Sequence, residues 1–439
     1  MEDSKSKLID IQRLRKGMFV QLELGWMDHP FPMGSFKISS DEQIQTLRSL
    51  GLSQIRYVPS RSDVQVDEVP PQALPAVAGE PALEASAPDQ MPATPQGSGA
   101  DRARQARLAA RLAQERCLEV CERRFFDATR QYKRVGEQLR LSPQEARRQS
   151  EELVGSCVSE LLANGESVIR LLTEVSGDRS ATHPINVMVI SLLLGKALGL
   201  EEASLKDLGL VAMLHDIGKL ELPDRVRSFD DQFTTAEYRM YQEHVEQGVL
   251  LAQRMGLSPG VIKGISQHHE MADGSGFPMR HKVDRLETLG KIVALVNRYD
   301  NLCNPARLAI ALTPHEALSV IFAQMKARFD TSVLGAFIRM MGVYPPGSVV
   351  QLVNDRFALV VSVNSSRPLR PRVLVHDPVV PRSEALILDL EQVPELGIKR
   401  SLKASQLPKA ALDYLSPRQR ICYFFERAVE APSPAGAEQ

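Results

Sequence analysis

What most constrains this chain is where its histidines fall. Five of the nine lie between positions 183 and 269, each within or at the end of an apolar helical stretch: His183, His215-Asp216, His244 and His268-His269-Glu270. Leu205, Leu208, Val211 and Leu214 form a stripe at helical spacing that delivers His215-Asp216 at its end. Asn186, Ile190 and Leu193 continue the face begun by His183, and Tyr241, His244 and Gly248 share the face of another helix, with Gly248 permitting close approach. A single imidazole on an apolar helix is ordinarily a hydrogen-bonded core residue. Five of them, with an H-D dyad and an H-H-E triplet, call for a common purpose. His29, His281, His315 and His376 lack such company and read as surface or packing residues.

The purpose that suits these side chains is a metal centre. Imidazole and carboxylate together bind divalent Fe, Mn or Zn. In an H-D dyad the carboxylate can bridge two ions while the imidazole binds one. Two ions about 3.5–4 Å apart can activate a shared water and clamp a phosphoryl oxygen. Two further features point to phosphate. Lys219, in His215-Asp216-Ile217-Gly218-Lys219, can reach back to an anion beside the metals once Gly218 turns the chain. Asp273-Gly274-Ser275-Gly276-Phe277-Pro278 fixes an irregular loop directly after the H-H-E triplet, placed to shape substrate entry or meet a partner.

Around this segment the chain divides by composition. Residues 1–62 read as a small α/β unit: short strands in 9–24 and at 55–58, a helix through Ile44 and Leu47, and an apolar patch at Trp26, Phe31 and Phe36. Residues 63–100, with prolines 70, 71, 75, 81, 88, 92 and 95, show no hydrophobic period and read as a linker. Residues 101–150 are a helical connector, with the helical pattern running on to about 175. Ser142-Pro143-Gln144-Glu145 marks a helix start within it. Cys117 and Cys121, four apart with no further ligand nearby, read as packing residues. Residues 151–345 carry the histidines on helices. Residues 346–427 read as a β-rich appendage, with strands at 349–353, 357–363, 372–376 and 385–390, and 428–439 as a disordered tail. The expected fold is mainly α, with a small α/β domain before the helical domain and a small β-rich region after it.

Lys+Arg 53 against Asp+Glu 54 leaves a net charge of -1, which excludes a nucleic-acid polymer held by an overall basic field. Five scattered cysteines without a CxxC pair exclude a secreted disulfide scaffold. The longest apolar stretch, 187–200, is broken by Gly195 and Lys196, short of the about 20 residues a membrane span needs. With no apolar run behind the charged MEDSKSK start, a cytoplasmic protein is expected.

His183, His215-Asp216-Ile217-Gly218-Lys219, His244 and the run from His268 through Pro278 together closely resemble the HD-GYP family, with Phe277 where that family usually has Tyr. The resemblance covers roughly 150–345. It implies a helical HD-type metal-dependent phosphohydrolase domain with two divalent ions of the Fe or Mn kind. It also implies hydrolysis of cyclic di-GMP to the linear dinucleotide pGpG, and on to GMP, by a hydroxide bridging the metals. The implied ligands are His183, His215, Asp216, His244, His268, His269 and Asn297, with Asp300 as the fallback. His215, Asp216 and Lys219 are the implied catalytic residues. Residues 5–62 resemble the small domain often placed before HD-GYP domains.

Three positions depart from that family. Arg179, beside Asp178, stands where some members have a Glu that supports a third metal, so two ions are expected. Asn297 stands where an Asp ligand is usual, and an amide oxygen ligates without charge. Ala306 and Ala309 fall where Arg and Lys commonly contact phosphate, leaving Arg307 as the nearest substrate-binding candidate. Two competing readings follow. The first is a degenerate cyclic di-GMP receptor or scaffold that meets diguanylate cyclase (GGDEF) domains through Gly274, Gly276, Phe277 and Pro278. The second is an HD phosphohydrolase acting on another nucleotide. The helical stretch 101–175 offers a surface for a homodimer.

Overall fold

The structure is a computed structural model that describes residues 6–22, 35–49, 52, 54–63, 99–163, 167–173, 179–364, 370–393 and 395–427. Trp26, His29, Phe31, Asp178, the seven prolines of the linker and the 428–439 tail lie outside the described residues. The chain forms two compact units, 1–113 and 114–439.

In the first unit, β1 (Lys7–Asp10), β2 (Phe19–Gln21), β3 (Ser35–Lys37) and β4 (Gln54–Tyr57) make an antiparallel sheet in the order β1-β4-β2-β3. Ile9 pairs with Ile55, and Val20 with both Phe36 and Tyr57, so the register places apolar residues on one face. Helix α1 (Asp41–Ser49) contributes Ile44 and Leu47 to the core beneath them.

Helix α2 (Gly99–Gln138) crosses the division between the units. Helix α3 (Pro143–Ala163) starts at the expected proline, and buries Ala146, Ser150, Leu153, Val154, Cys157, Val158 and Leu161 along one stripe. Glu145 does not close a capping box; it binds Arg148 and Gln149 instead. The helical pattern expected up to 175 then fails. Residues Ser167–Leu171 form strand β5, because Val168 and Ile169 are β-branched and find partners on strands far along the chain.

Helices α4 (Arg179–Ala197), α5 (Glu202–Leu214), α6 (Asp224–Arg227), α7 (Thr235–Gln242), α8 (His244–Met255), α9 (Pro259–Gln267), α10 (Thr288–Cys303), α11 (Pro314–Gln324) and α12 (Thr331–Met341) follow. Helix α4 is the axis: every residue from Ala181 to Gly195 is buried, so its apolar sequence needs no polar face. Each Leu or Ile so enclosed contributes about 1.5–3 kcal/mol relative to exposure. Helices α5, α10 and α12 pack on it. No helix among the described residues is long and apolar enough to cross a membrane.

The expected β-rich region follows, and its sheet also takes in β5. Strands β6 (Val349–Leu352), β7 (Phe357–Asn364), β8 (Arg372–Val375), β9 (Ile387–Asp389), β10 (Ile398–Leu402) and β11 (Tyr423–Arg427) form an antiparallel sheet with β5, and α13 (Lys409–Leu415) packs on β7. The order β10-β6-β7-β5-β11 inserts β5, which precedes the histidine helices, between two late strands. Tyr423 and Phe424 are buried in the same core as α4 and α5.

One close approach fixes how the helices converge. Gly218, in a 3-10 turn at Ile217–Glu221, lies against α8 so tightly that a Cβ there would come 2.0 Å from the His244 carbonyl oxygen and 2.4 Å from the Gly248 nitrogen. Both obstacles are backbone and cannot swing aside. Gly218→Ala is therefore expected to destabilise the fold by about 1–3 kcal/mol or more. A lowered Tm, with loss of bound metal, is the measurable outcome; an unchanged Tm would contradict this packing.

Candidate metal centre

The structure brings His183, His215, Asp216, His244, His268 and His269 together as two groups of possible ligands that share Asp216. The Oδ2 atom of Asp216 lies 3.5 Å from His183 Nε2 and 3.4 Å from His215 Nε2. Its Oδ1 atom lies 3.5 Å from His244 Nε2 and 3.7 Å from His268 Nε2. One carboxylate thus stands between two pairs of imidazoles, each oxygen facing one pair.

The helix ends set the tautomers. His215, His244 and His268 sit at or just past the ends of α5, α7 and α9. Each Nδ1 donates to the carbonyl three residues back: Ala212 (2.7 Å), Tyr241 (2.5 Å) and Ile265 (2.6 Å). Those carbonyls belong to the last helical turns, where backbone acceptors are left short of helical donors. A carbonyl carries no proton, so Nδ1 must donate and Nε2 is left with its lone pair toward Asp216. His183 is oriented differently: its Nδ1 lies 2.5 Å from Asp300 Oδ2.

Burial keeps most of these rings neutral. It pushes His215 down to about 4 and His244 to about 3, against the opposing pull of Asp216. Burial and the neighbouring rings His268 and His244 hold His269 well below the usual range. His183 moves the other way: burial opposes its charge, but Asp216 and Asp300 outweigh it. Although burial penalises its charge, Asp216 is held well below the carboxylate range by Lys219 and His215. Lys219 Nζ sits 2.6 Å from Asp216 Oδ2, and Asp216 raises the Lys219 pKa despite burial.

The residues fit divalent ions. His183 Nε2, His215 Nε2, His269 Nε2 and Asp216 Oδ1 are buried without a hydrogen-bond partner among the described residues, a costly condition unless a cation meets them. His244 Nε2 and His268 Nε2 are 3.2 Å apart with lone pairs on both, the separation of neighbouring ligands on one ion with bonds of about 2.1 Å.

Asn297 and Asp300 are placed differently. Asn297 is buried and lines the adjoining cavity, where its Oδ1 accepts from Asn301 Nδ2 at 2.5 Å. Asp300 lies on the Nδ1 side of His183. Its Oδ1 accepts from Asn186 and, at 2.8 Å, from Asn304. These two asparagines also hold the C-terminal segment. The Ile421 and Tyr423 amides donate to Asn304 and Asn186 at 2.8 and 2.9 Å, and the Ile421 carbonyl accepts from both side chains. No local pattern marks Asn304 for this task; only the strand pairing reveals it.

Beside the centre opens a cavity of about 420 Å³, within the range of small-molecule sites. An aromatic wall runs from Phe229 through Tyr238 and Tyr241 to Phe277, which stacks on His269 at 4.4 Å. Phe277 is held there by the loop. Glu270, wholly buried, accepts from the Met279 and His281 amides at 2.6 and 2.8 Å and so folds the segment back on itself. Gly276 passes so close to the His269 carbonyl and the Met271 amide that a Cβ would come 2.4 Å from each. Arg179 also lines the cavity, its guanidinium held by the Asn304 carbonyl at 2.7 Å and by Asn301 Oδ1. Arg307 lies at the same wall but is paired with Asp231. Cys121 is buried with its thiol toward the Phe425 carbonyl at 3.8 Å, a packing position.

Two outcomes follow. Asp300→Asn removes the charge behind His183 and is expected to lower metal affinity about 10–100-fold, read by chelator competition, with circular dichroism unchanged. Unchanged affinity would remove Asp300 from this role. Between about pH 6.5 and pH 4 the folded His215 and His244 bind fewer protons than they do unfolded. Stability of the metal-free protein should therefore fall on acidification through that window, read as a declining Tm. A Tm that is flat or rises there would contradict the burial of these rings as neutral groups.

Residues 157–333 match the HD domain, and residues 6–150 match a domain of unknown function, DUF3391, which extends past the expected small domain through α2 into α3. A cyclic di-GMP phosphodiesterase of Pseudomonas aeruginosa is 27% identical over 375 residues, covering 84% of this chain and 84% of that protein. A cyclic di-GMP phosphodiesterase response regulator of Xanthomonas campestris, RpfG, is 29% identical over 150 residues, 34% of this chain and 39% of its own. Among solved structures, an HDG"Y"P protein from Bdellovibrio bacteriovorus matches 76% of this chain and 98% of its own at 14% identity, with a TM-score of 0.42. The chain therefore carries an HD domain with a DUF3391 domain ahead of it, and it is similar to curated cyclic di-GMP phosphodiesterases, the enzymes its HD-GYP resemblance points to.

Proposed function

We propose that this chain is a cyclic di-GMP phosphodiesterase that opens the ring to linear pGpG and cuts that product on to GMP. The observation that carries the reading is the shared Asp216 carboxylate between two imidazole pairs, beside a cavity that is both basic and aromatic. The curated relatives carrying the cyclic di-GMP phosphodiesterase name support the substrate.

His183 and His215 with Asp216 would hold one ion, and His244, His268 and His269 with Asp216 the other. Iron or manganese suits this mixed set of imidazole and carboxylate. When bound, such ions supply a water of lowered pKa and neutralise charge on phosphate. The chain does the rest. Asp216, kept ionised by Lys219, holds both ligand groups to one centre. Lys219 carries a full positive charge at the cavity wall and stabilises negative charge growing on the phosphoryl oxygens. Phe229, Tyr238 and Phe277 offer faces on which a purine base can stack. Arg179, fixed by Asn301 and Asn304, places a cation at this wall, and the reading therefore assigns two ions and not three. The loop of Gly274, Gly276, Phe277 and Pro278 is where a diguanylate cyclase domain would touch.

The test is anaerobic turnover of cyclic di-GMP by protein loaded with Fe, Mn or Zn, with identification of products. Replacing His215 and Asp216 with Ala is expected to reduce turnover to background and to lower the bound metal, while helical content is kept. Turnover equal to the parent in that double variant would sink the proposal. A parent that binds cyclic di-GMP but never cleaves it, with any metal, would favour a receptor.

A further inference from the structure

Among the cations that line the cavity, Arg298 and Arg328 form no ion pair with the described residues. Lys219 is tied to Asp216, Arg307 to Asp231, and Arg179 to Asn301 and Asn304. Arg298 on α10 and Arg328 in the turn at Lys326–Arg328 line the same cavity. Neither forms an ion pair with any described carboxylate. Arg298 Nε is buried with no hydrogen-bond partner among the described residues. Burial, and secondarily the like charge of Arg328, hold the Arg298 guanidinium below its usual range. Asp273 feels the Arg328 charge, but its carboxylate binds Ser275.

Two guanidiniums lining one cavity with no carboxylate between them, one partly desolvated, are an unfavourable arrangement by themselves. An anion between them reverses the balance, and phosphate suits the planar fork of Arg. Both residues come from elements that carry none of the clustered imidazoles. Neither belongs to the two ligand groups around Asp216. A stacked base would use the aromatic wall and has no need of two charges. The cavity lining agrees: Arg179, Lys219, Arg298, Arg307 and Arg328 face only Asp230 and Asp231.

We propose that Arg298 and Arg328 form the seat for the second phosphate of a cyclic dinucleotide, the one not under attack. They supply from α10 and the α11–α12 turn what Ala306 and Ala309 cannot. The proposal rests on reading the site as a cyclic dinucleotide phosphodiesterase. In that role they are specificity-determining residues, because a substrate with one phosphate leaves the seat unused.

The test uses the full chain loaded with metal and two substrates: cyclic di-GMP, and bis(p-nitrophenyl) phosphate, which has a single phosphate. Arg298→Ala and Arg328→Ala are each expected to raise KM for cyclic di-GMP about 10- to 100-fold, with a loss on the single-phosphate diester at least about tenfold smaller. Arg298→Lys should recover part of the KM, and metal content should match the parent. Arg328 is exposed, so its variant keeps the test usable if Arg298→Ala folds poorly. Equal losses on both substrates, or no change in KM, would overturn the proposal. Parent protein that cleaves the single-phosphate diester but neither binds nor cleaves cyclic di-GMP would instead overturn the substrate reading, and the second-phosphate seat with it.

Discussion

Everything around this centre is arranged to keep one buried carboxylate charged. Asp216 is enclosed, and enclosure alone would favour its protonated form. The Lys219 ammonium, 2.6 Å away, reverses that preference. The carboxylate can then face two ligand pairs at once, one with each oxygen. The tight passage of Gly218 against α8 follows from the same requirement, since the His215-Asp216 segment must reach the histidines of α8 and α9 without a side chain in between.

The imidazoles are held by a repeated local device. A helix must leave its last carbonyls without internal partners, and three of the histidines answer such carbonyls from three residues away. One hydrogen bond completes the helix end, selects the tautomer and aims the free nitrogen. His183, in the second turn of α4, has no such carbonyl at its Nδ1 and depends on Asp300 instead. That dependence explains why Asp300 is buried among asparagines.

The histidine cluster was legible because its helical spacing and its acidic neighbours are local signals. The stripe 205, 208, 211, 214 predicts where His215 emerges, and the strands at 349–352 and 357–364 follow from runs of Val, Ala and Leu. What escaped depends on distant pairing. Residues 167–171 carry too short a pattern to separate a strand from a helix end, and only β7 and β11 decide it. Glu270 looks like a third member of a ligand triplet, yet it binds the amides of Met279 and His281. Asp300 lies one helical turn from Asn297, a spacing that fits two ligands as well as it fits a ligand and its support. Arg298 shows no motif at all, and its importance rests on which cavity it enters.

The ties from Asn186 and Asn304 to Ile421 and Tyr423 have a bearing on how the protein is made. The chain leaves the ribosome from its N-terminus, and all the clustered imidazoles emerge long before β11 does. Until that last strand arrives, β5 lacks a neighbour on one side, and the asparagines that flank Asp300 lack half of their partners. His183 is then braced by a carboxylate that is itself loosely held. The helical part can bury its own apolar surface early, but the support behind His183 is complete only once β11 has paired with β5. The bracing of the earliest metal-centre histidine therefore depends on one of the latest strands described in the chain.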